Sequence, residues 1–251
     1  GETLPEQHRA PAGLAALAGR LIAPVGTARL TRALRDGFER PPETRLAFTA
    51  ADDAPPATPQ ARRPGYTDLE QAERVESLLR AMGLTGGFAP LVVIAGHASN
   101  SRNNPHASAY NCGACGGRFS GPNARLVCAM ANRTEVRALL GQRGIRIPPE
   151  TWFVGAEHDT CADEVRWYDL EDLPRMLRPA LARLRANLES ACRLHAAERC
   201  RRFASAPAKQ TAHQAHRHVA ARAEDLSQAR PELGHATNAC AFIGRRSMSR
   251  G

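Results

Sequence analysis

Between Val92 and Gly117 the chain reads VVIAGHASNSRNNPHASAYNCGACGG, an apolar run that gives way to a polar loop carrying His97, His106, Cys112 and Cys115. Imidazole nitrogen and thiolate sulfur are ligands zinc favours, and a catalytic zinc keeps one of its four positions for water or substrate. Gly113, Gly116 and Gly117 would let the backbone turn tightly enough to set a thiolate against a metal. Cys112 and Cys115 stand in C-x-x-C spacing, which serves several chemistries. A structural zinc knuckle would need a second pair, and Cys128 and Cys161 lack that spacing. A dithiol redox pair usually opens a helix directly after a strand, whereas this pair lies about fifteen residues beyond one. A half-site is the third use: one Cys and the strand-end His bind metal while the other ligands come from elsewhere. A glycine-rich turn with incidental thiols is the fourth reading, and spacing alone does not choose among them.

The elements around the loop say how it would be held. Thr67 to Gly83 opens on a Thr cap with Glu70 three residues later, keeps Ala72, Val75, Leu78, Leu79 and Met82 on one face and closes on Gly, so it predicts a helix. PLVVIAG reads as a short buried strand, because a brief β-branched run bounded by Pro and Gly fits a parallel sheet. After the loop, Asn123 is a candidate cap for a helix through Leu126, Met130, Val136 and Leu140 to Gly144, broken near Asn132. TWFVGAEHDT supplies a second strand. Strand, helix, strand is a βαβ unit, which predicts an α/β fold with a parallel sheet flanked by helices. Sites in such sheets form outside the carboxyl ends of strands, where His97 and His158 fall. His158 and Asp159 could line that crevice or cap a loop. Asp169 to Phe203 places leucines from Leu170 to Leu194 at three- and four-residue steps opposite arginines, the pattern of a helix lying on the sheet or, alternatively, on a membrane surface. His213, His216 and His218 share a probable helix; a second metal site there competes with ordinary surface histidines.

Three regions follow from composition. Residues 1–39 read as a helical segment, 40–66 as a Pro-rich linker or insertion, and 67–251 as the site-bearing domain. The ends, Gly1 and the unfinished strand-like run Ala239 to Ile243, suggest an internal piece of something longer. A net charge of +9 would permit nucleic-acid binding, but the cations are almost all Arg, spread along the chain, and aromatics are only 5%. With no stacking platform, nucleic acid is not the expected partner. Seven cysteines, odd in number and unevenly placed, do not make a disulfide framework and point to a reducing compartment.

GHASNSRNNPHASAYNCGACGG, followed by GPNARL, RGIRIPPETWFVGAEHDT and RPELGHATNACAFIGRR, resembles the DabA family of probable inorganic carbon transporter subunits, from about Tyr66 to the C-terminus. The resemblance implies a β-carbonic-anhydrase-like core, incomplete in this chain, with helical additions. It implies one Zn2+ held by a Cys and an Asp of an earlier C-x-D motif and by His97 and Cys112. Cys115 is not a ligand in that pattern. The C-x-D half is expected upstream of Gly1; Cys161 to Asp163, CAD, has the spacing but follows a different strand and does not take the role. Two positions depart from the family, Ala98 where it usually has glycine and Asn111 where it has aspartate; the second weakens the surroundings of Cys112 without removing a ligand.

By the same resemblance, zinc would bring the pKa of a bound water toward about 7 so that it attacks carbon dioxide and yields bicarbonate. The implied partner is an integral membrane subunit of the proton-conducting type (DabB-like). The implied place is the cytoplasmic side of the cell inner membrane, peripherally attached, with hydration active only in that complex. The reading carried beside this one is a non-catalytic zinc or thiol interaction domain of a membrane complex.

Overall fold

The computed structural model describes residues 46, 65–100 and 118–224. The helical segment 1–39, almost all of the 40–66 linker and the strand expected at Ala239 to Ile243 lie outside the described residues, as do His106, Cys112 and Cys115.

Helix α1 spans Asp68–Met82 and has the predicted ends. Thr67 Oγ1 accepts from the Glu70 amide at 3.2 Å and Glu70 returns a carboxylate to the Thr67 amide at 2.8 Å. Each cap bond satisfies an amide that the first turn would leave orphaned. Gly83, at φ 76°, ends the helix in the left-handed region. Ala72, Val75 and Leu79 are buried as expected, but Met82 is exposed, because the last turn runs past the helices it packs on.

Strand β1 (Leu91–Ala98) is followed, beyond the 101–117 loop, by α2 (Gly121–Asn132) and α3 (Thr134–Gln142), with the predicted break at Arg133. Asn123 is not the cap of α2. Pro122, favoured in a first turn, starts the helix earlier, and Ser120 takes the cap position. Strand β2 (Trp152–Asp159) pairs parallel with β1, and β3 (Glu164–Trp167) pairs antiparallel with β2, giving the order β1-β2-β3. The sheet is therefore mixed. A parallel third strand would need a crossover of a dozen or more residues, whereas only Thr160 to Asp163 separates β2 from β3.

One face of the sheet packs Phe153, Val92 and Ile94 against α1, α2 and α3, with Val75, Leu79, Met130, Val136, Leu140 and Ile145 at the centre. The close fit depends on glycine: a Cβ on Gly155 would lie 2.8 Å from Arg125 Cα, and one on Gly96 would lie 2.5 Å from the Ser120 carbonyl. The opposite face carries Leu91, Trp152 and Val154 and is covered by Leu173, Leu177 and Leu181. The leucine-striped segment is not one helix from Asp169. Two short 3-10 turns, Leu170–Asp172 and Arg175–Leu177, precede α4 (Arg178–Cys200), whose start is set by Pro179. The stripe also divides. Leu177 and Leu181 pack on the sheet, Leu194 is 64% exposed, and the end of α4 packs Ala196 and Cys200 against Ala215 and Val219 of α5 (Ala212–Glu224). No helix among the described residues is long and apolar enough to cross a membrane.

Candidate functional site

His97 and His158 are the next-to-last residues of β1 and β2, and the parallel register places them opposite each other. They lie within the strands, where the sequence suggested a position just past their ends. Side chains alternate across a strand, so His97 shares a face with Leu91, and His158 shares it with Trp152 and Val154. That is the face on which Leu173, Leu177 and Leu181 pack, and both imidazoles belong to one end of it.

The 101–117 loop leaves from His97 and returns to it. The Ser120 amide donates to the His97 carbonyl at 2.9 Å and Ser120 Oγ donates to the same carbonyl at 3.0 Å. The close approach of Ser120 to Gly96 makes this possible. Cys112, the other expected ligand, lies outside the described residues.

Beyond His158 the chain turns sharply, and Asp159 and Asp163 do different things there. Asp159 caps the loop: its Oδ1 accepts from the amides of Asn100, Cys161 and Ala162 at 3.2, 3.0 and 3.4 Å. Asp163 has φ 54°, which L residues seldom adopt, and its carboxylate is turned inward with 1% exposure. Four side chains hold it. His158 Nε2 lies 3.1 Å from Oδ1, His195 Nδ1 lies 2.9 Å from Oδ2, Arg199 Nη1 donates to Oδ2 at 2.8 Å, and His216 Nε2 meets the backbone carbonyl at 3.0 Å. Arg199 also donates to the Thr160 carbonyl at 2.7 Å. Burial works to raise the Asp163 pKa, but the bonds from His158 and His195 and the Arg199 charge outweigh it and hold the carboxyl below its ordinary value.

His158, Asp163 and half-buried Cys192 of α4 each bring one potential ligand atom within 4.8 Å of the others. The Cys192 thiol is pushed up, first by burial and then by the negative charges of Asp163, Glu164 and Glu189. Cys128 is a different case: it sits in the core, pushed up to about 12 chiefly by burial, and takes no part in the site. Sequence reasoning singled out His158 and considered CAD, but missed Asp163 as the hub and did not consider Cys192, His195 or Arg199. The last three stand on one face of α4 at spacings of three, four and seven, a helical pattern visible in the sequence but without a partner until β2 is laid against it. His216 is likewise a tie to Asp163 rather than a bare surface histidine.

The model of the family described as "Probable inorganic carbon transporter subunit DabA" matches residues 6–251. Similar proteins carry the same description. The one from Methylococcus capsulatus strain Bath is 56% identical over 242 residues, covering 96% of this chain and 23% of that protein. The one from Nitrosococcus oceani is 54% identical over 241 residues, covering 96% of this chain and 21% of that protein. The one from Dechloromonas aromatica is 55% identical over 238 residues, covering 95% and 23%. The chain thus spans less than a quarter of the length of these relatives. No solved structure matches it.

Proposed function

Because the chain belongs to the DabA family of probable inorganic carbon transporter subunits, we propose that it forms the second half of a zinc site serving energy-coupled uptake of inorganic carbon. In this reading His97 and Cys112 are two of the ligands, and a Cys and an Asp from an earlier part of the whole protein complete the set. The core around them is of the β-carbonic-anhydrase type.

The observation that carries the proposal is the position of His97. It ends a parallel strand, where α/β sheets build sites, and Ser120 fastens the return of the Cys112-bearing loop onto its carbonyl. Imidazole and thiolate are a donor pair that suits zinc. When bound, the ion would supply Lewis acidity that makes water a nucleophile near neutral pH, the chemistry that hydration of carbon dioxide requires. The chain's own residues orient the donors. Ser120 fixes the His97 backbone, and Gly96 lets α2 approach it.

A subunit of this kind works beside an integral membrane partner of the proton-conducting type, attached peripherally to the cytoplasmic face of the inner membrane. The absence of a membrane-spanning helix among the described residues agrees with attachment through a partner. The test is growth. In cells that depend on the complex at ambient carbon dioxide, His97→Ala in the full-length protein should abolish growth while the membrane partner still co-purifies. Undiminished growth would overturn the catalytic role, and loss of the partner along with growth would favour a non-catalytic interaction domain.

A further inference from the structure

The cluster around Asp163 is separate in composition from the pair His97 and Cys112, and nothing in the reading above uses it. His158 ends β2, Asp163 sits in the turn to β3, and Cys192 lies in the middle of α4. Folding brings an imidazole, a carboxylate and a thiol from three places to within 4.8 Å of one another. We propose that His158, Asp163 and Cys192 form a second metal site, for a divalent ion of the zinc or cobalt class, which clamps α4 to the carboxyl end of the sheet.

The three ligand atoms span little more than the ligand shell of one tetrahedral ion. Ligand atoms around a tetrahedral zinc, at about 2.0 to 2.3 Å from the metal, stand roughly 3.3 to 3.8 Å apart. His158 Nε2 and Asp163 Oδ1 are already 3.1 Å apart. The Cys192 sulfur lies within 4.8 Å of both atoms, so a small adjustment of half-buried side chains would bring it into the same range.

Two further observations agree. Asp163 is held at φ 54° with its carboxylate almost fully buried, a conformation that persists only where the surroundings enforce it. Arg199 grips Oδ2 and the Thr160 carbonyl together. It fixes the carboxylate plane and leaves Oδ1 toward His158, as groups behind a metal ligand commonly do. His195 Nδ1, 3.1 and 2.9 Å from the two oxygens of the same carboxylate, supports it from the side of α4. On binding, the Cys192 thiol gives its proton to solvent, and His158 binds as the neutral imidazole with its proton on Nδ1.

The choice of ion follows from the donors. A thiolate with an imidazole selects zinc-like ions over magnesium or calcium, which prefer oxygen.

The site is tested on the full-length protein by metal analysis, with Cys112→Ser and Cys192→Ser as parallel variants. Each substitution should remove one metal per chain and spare the other. In cobalt-substituted Cys112→Ser protein, a thiolate-to-cobalt charge-transfer band should persist and disappear when Cys192→Ser is added. His195→Gln, at a half-exposed position that folding tolerates, should weaken the second metal by about 10- to 100-fold. Full metal content in Cys192→Ser, loss of both ions with either substitution, or a cobalt band that survives in the double variant would overturn the second site. Full content in Cys112→Ser alone would count against the loop site and leave this one standing.

Discussion

His97 and His158 face each other across the parallel pair β1 and β2, on the side of the sheet that carries Leu91, Trp152 and Val154. That single register brings two stretches of chemistry together. One is the Ser120 contact to His97, on the far side of the stretch that carries Cys112; the other is the turn after His158, where the buried Asp163 gathers α4 side chains on its carboxylate and His216 of α5 on its backbone carbonyl.

The first consequence concerns Gly96. A methyl group there would meet the Ser120 carbonyl carbon and oxygen at 2.5 Å and the Gly121 nitrogen at 2.7 Å, all backbone atoms that cannot swing aside. Gly96→Ala should cost about 1 to 3 kcal/mol in stability, as overpacking does. It should also lower retention of the metal proposed at His97, since Ser120 is displaced from its carbonyl. Denaturant unfolding combined with metal analysis checks both effects.

Asn132 closes the open edge of β2. Its side-chain amide donates to the Phe153 carbonyl at 2.8 Å and its oxygen accepts from the Phe153 amide at 2.9 Å, copying a strand neighbour where β3 does not reach. Asn132→Ala leaves both backbone groups without these partners and should destabilise by about 1 to 3 kcal/mol. Asn132→Asp keeps the acceptor but cannot donate, so it too should destabilise. Urea titrations of the two variants against the parent test this.

Glu76 links α1 to the end of α3. Its carboxylate is bonded to Arg143 at 2.7 Å and to Arg80 at 2.8 Å, and these bonds, Arg143 foremost, hold its pKa below the usual 4.5. A depressed carboxylate contributes stability above its ordinary pKa and loses it as pH falls through the lowered value. The stability of Glu76→Gln should therefore fall less steeply with acid than that of the parent over that window, with the two converging at the acid end. Thermal melts from neutral to acidic pH provide the check.

Local signals carried much of the fold. Thr67, Glu70 and Gly83 announce α1 because caps are written in consecutive residues, and the β-branched run before His97 announces β1. The break at Arg133 and the place of His97 near the carboxyl end of β1 were also legible, though the strand runs on through it. Other features depend on tertiary packing. β3 is four residues long and too short for alternation to stand out, so the antiparallel turn went unread. The start of α4 shifted because Pro179 has no amide to extend the helix backwards. The Asp163 cluster is tertiary, since no sequence spacing foretells that His195 and Arg199, 32 and 36 residues away, will be laid on its carboxylate and His216 on its backbone carbonyl.

The most direct measurement is the zinc content of the full-length protein beside its Cys112→Ser and Cys115→Ser forms, by elemental analysis. The account predicts that Cys112→Ser loses one zinc per chain and that Cys115→Ser loses none. A parent without zinc, or a loss seen only with Cys115→Ser, would contradict it.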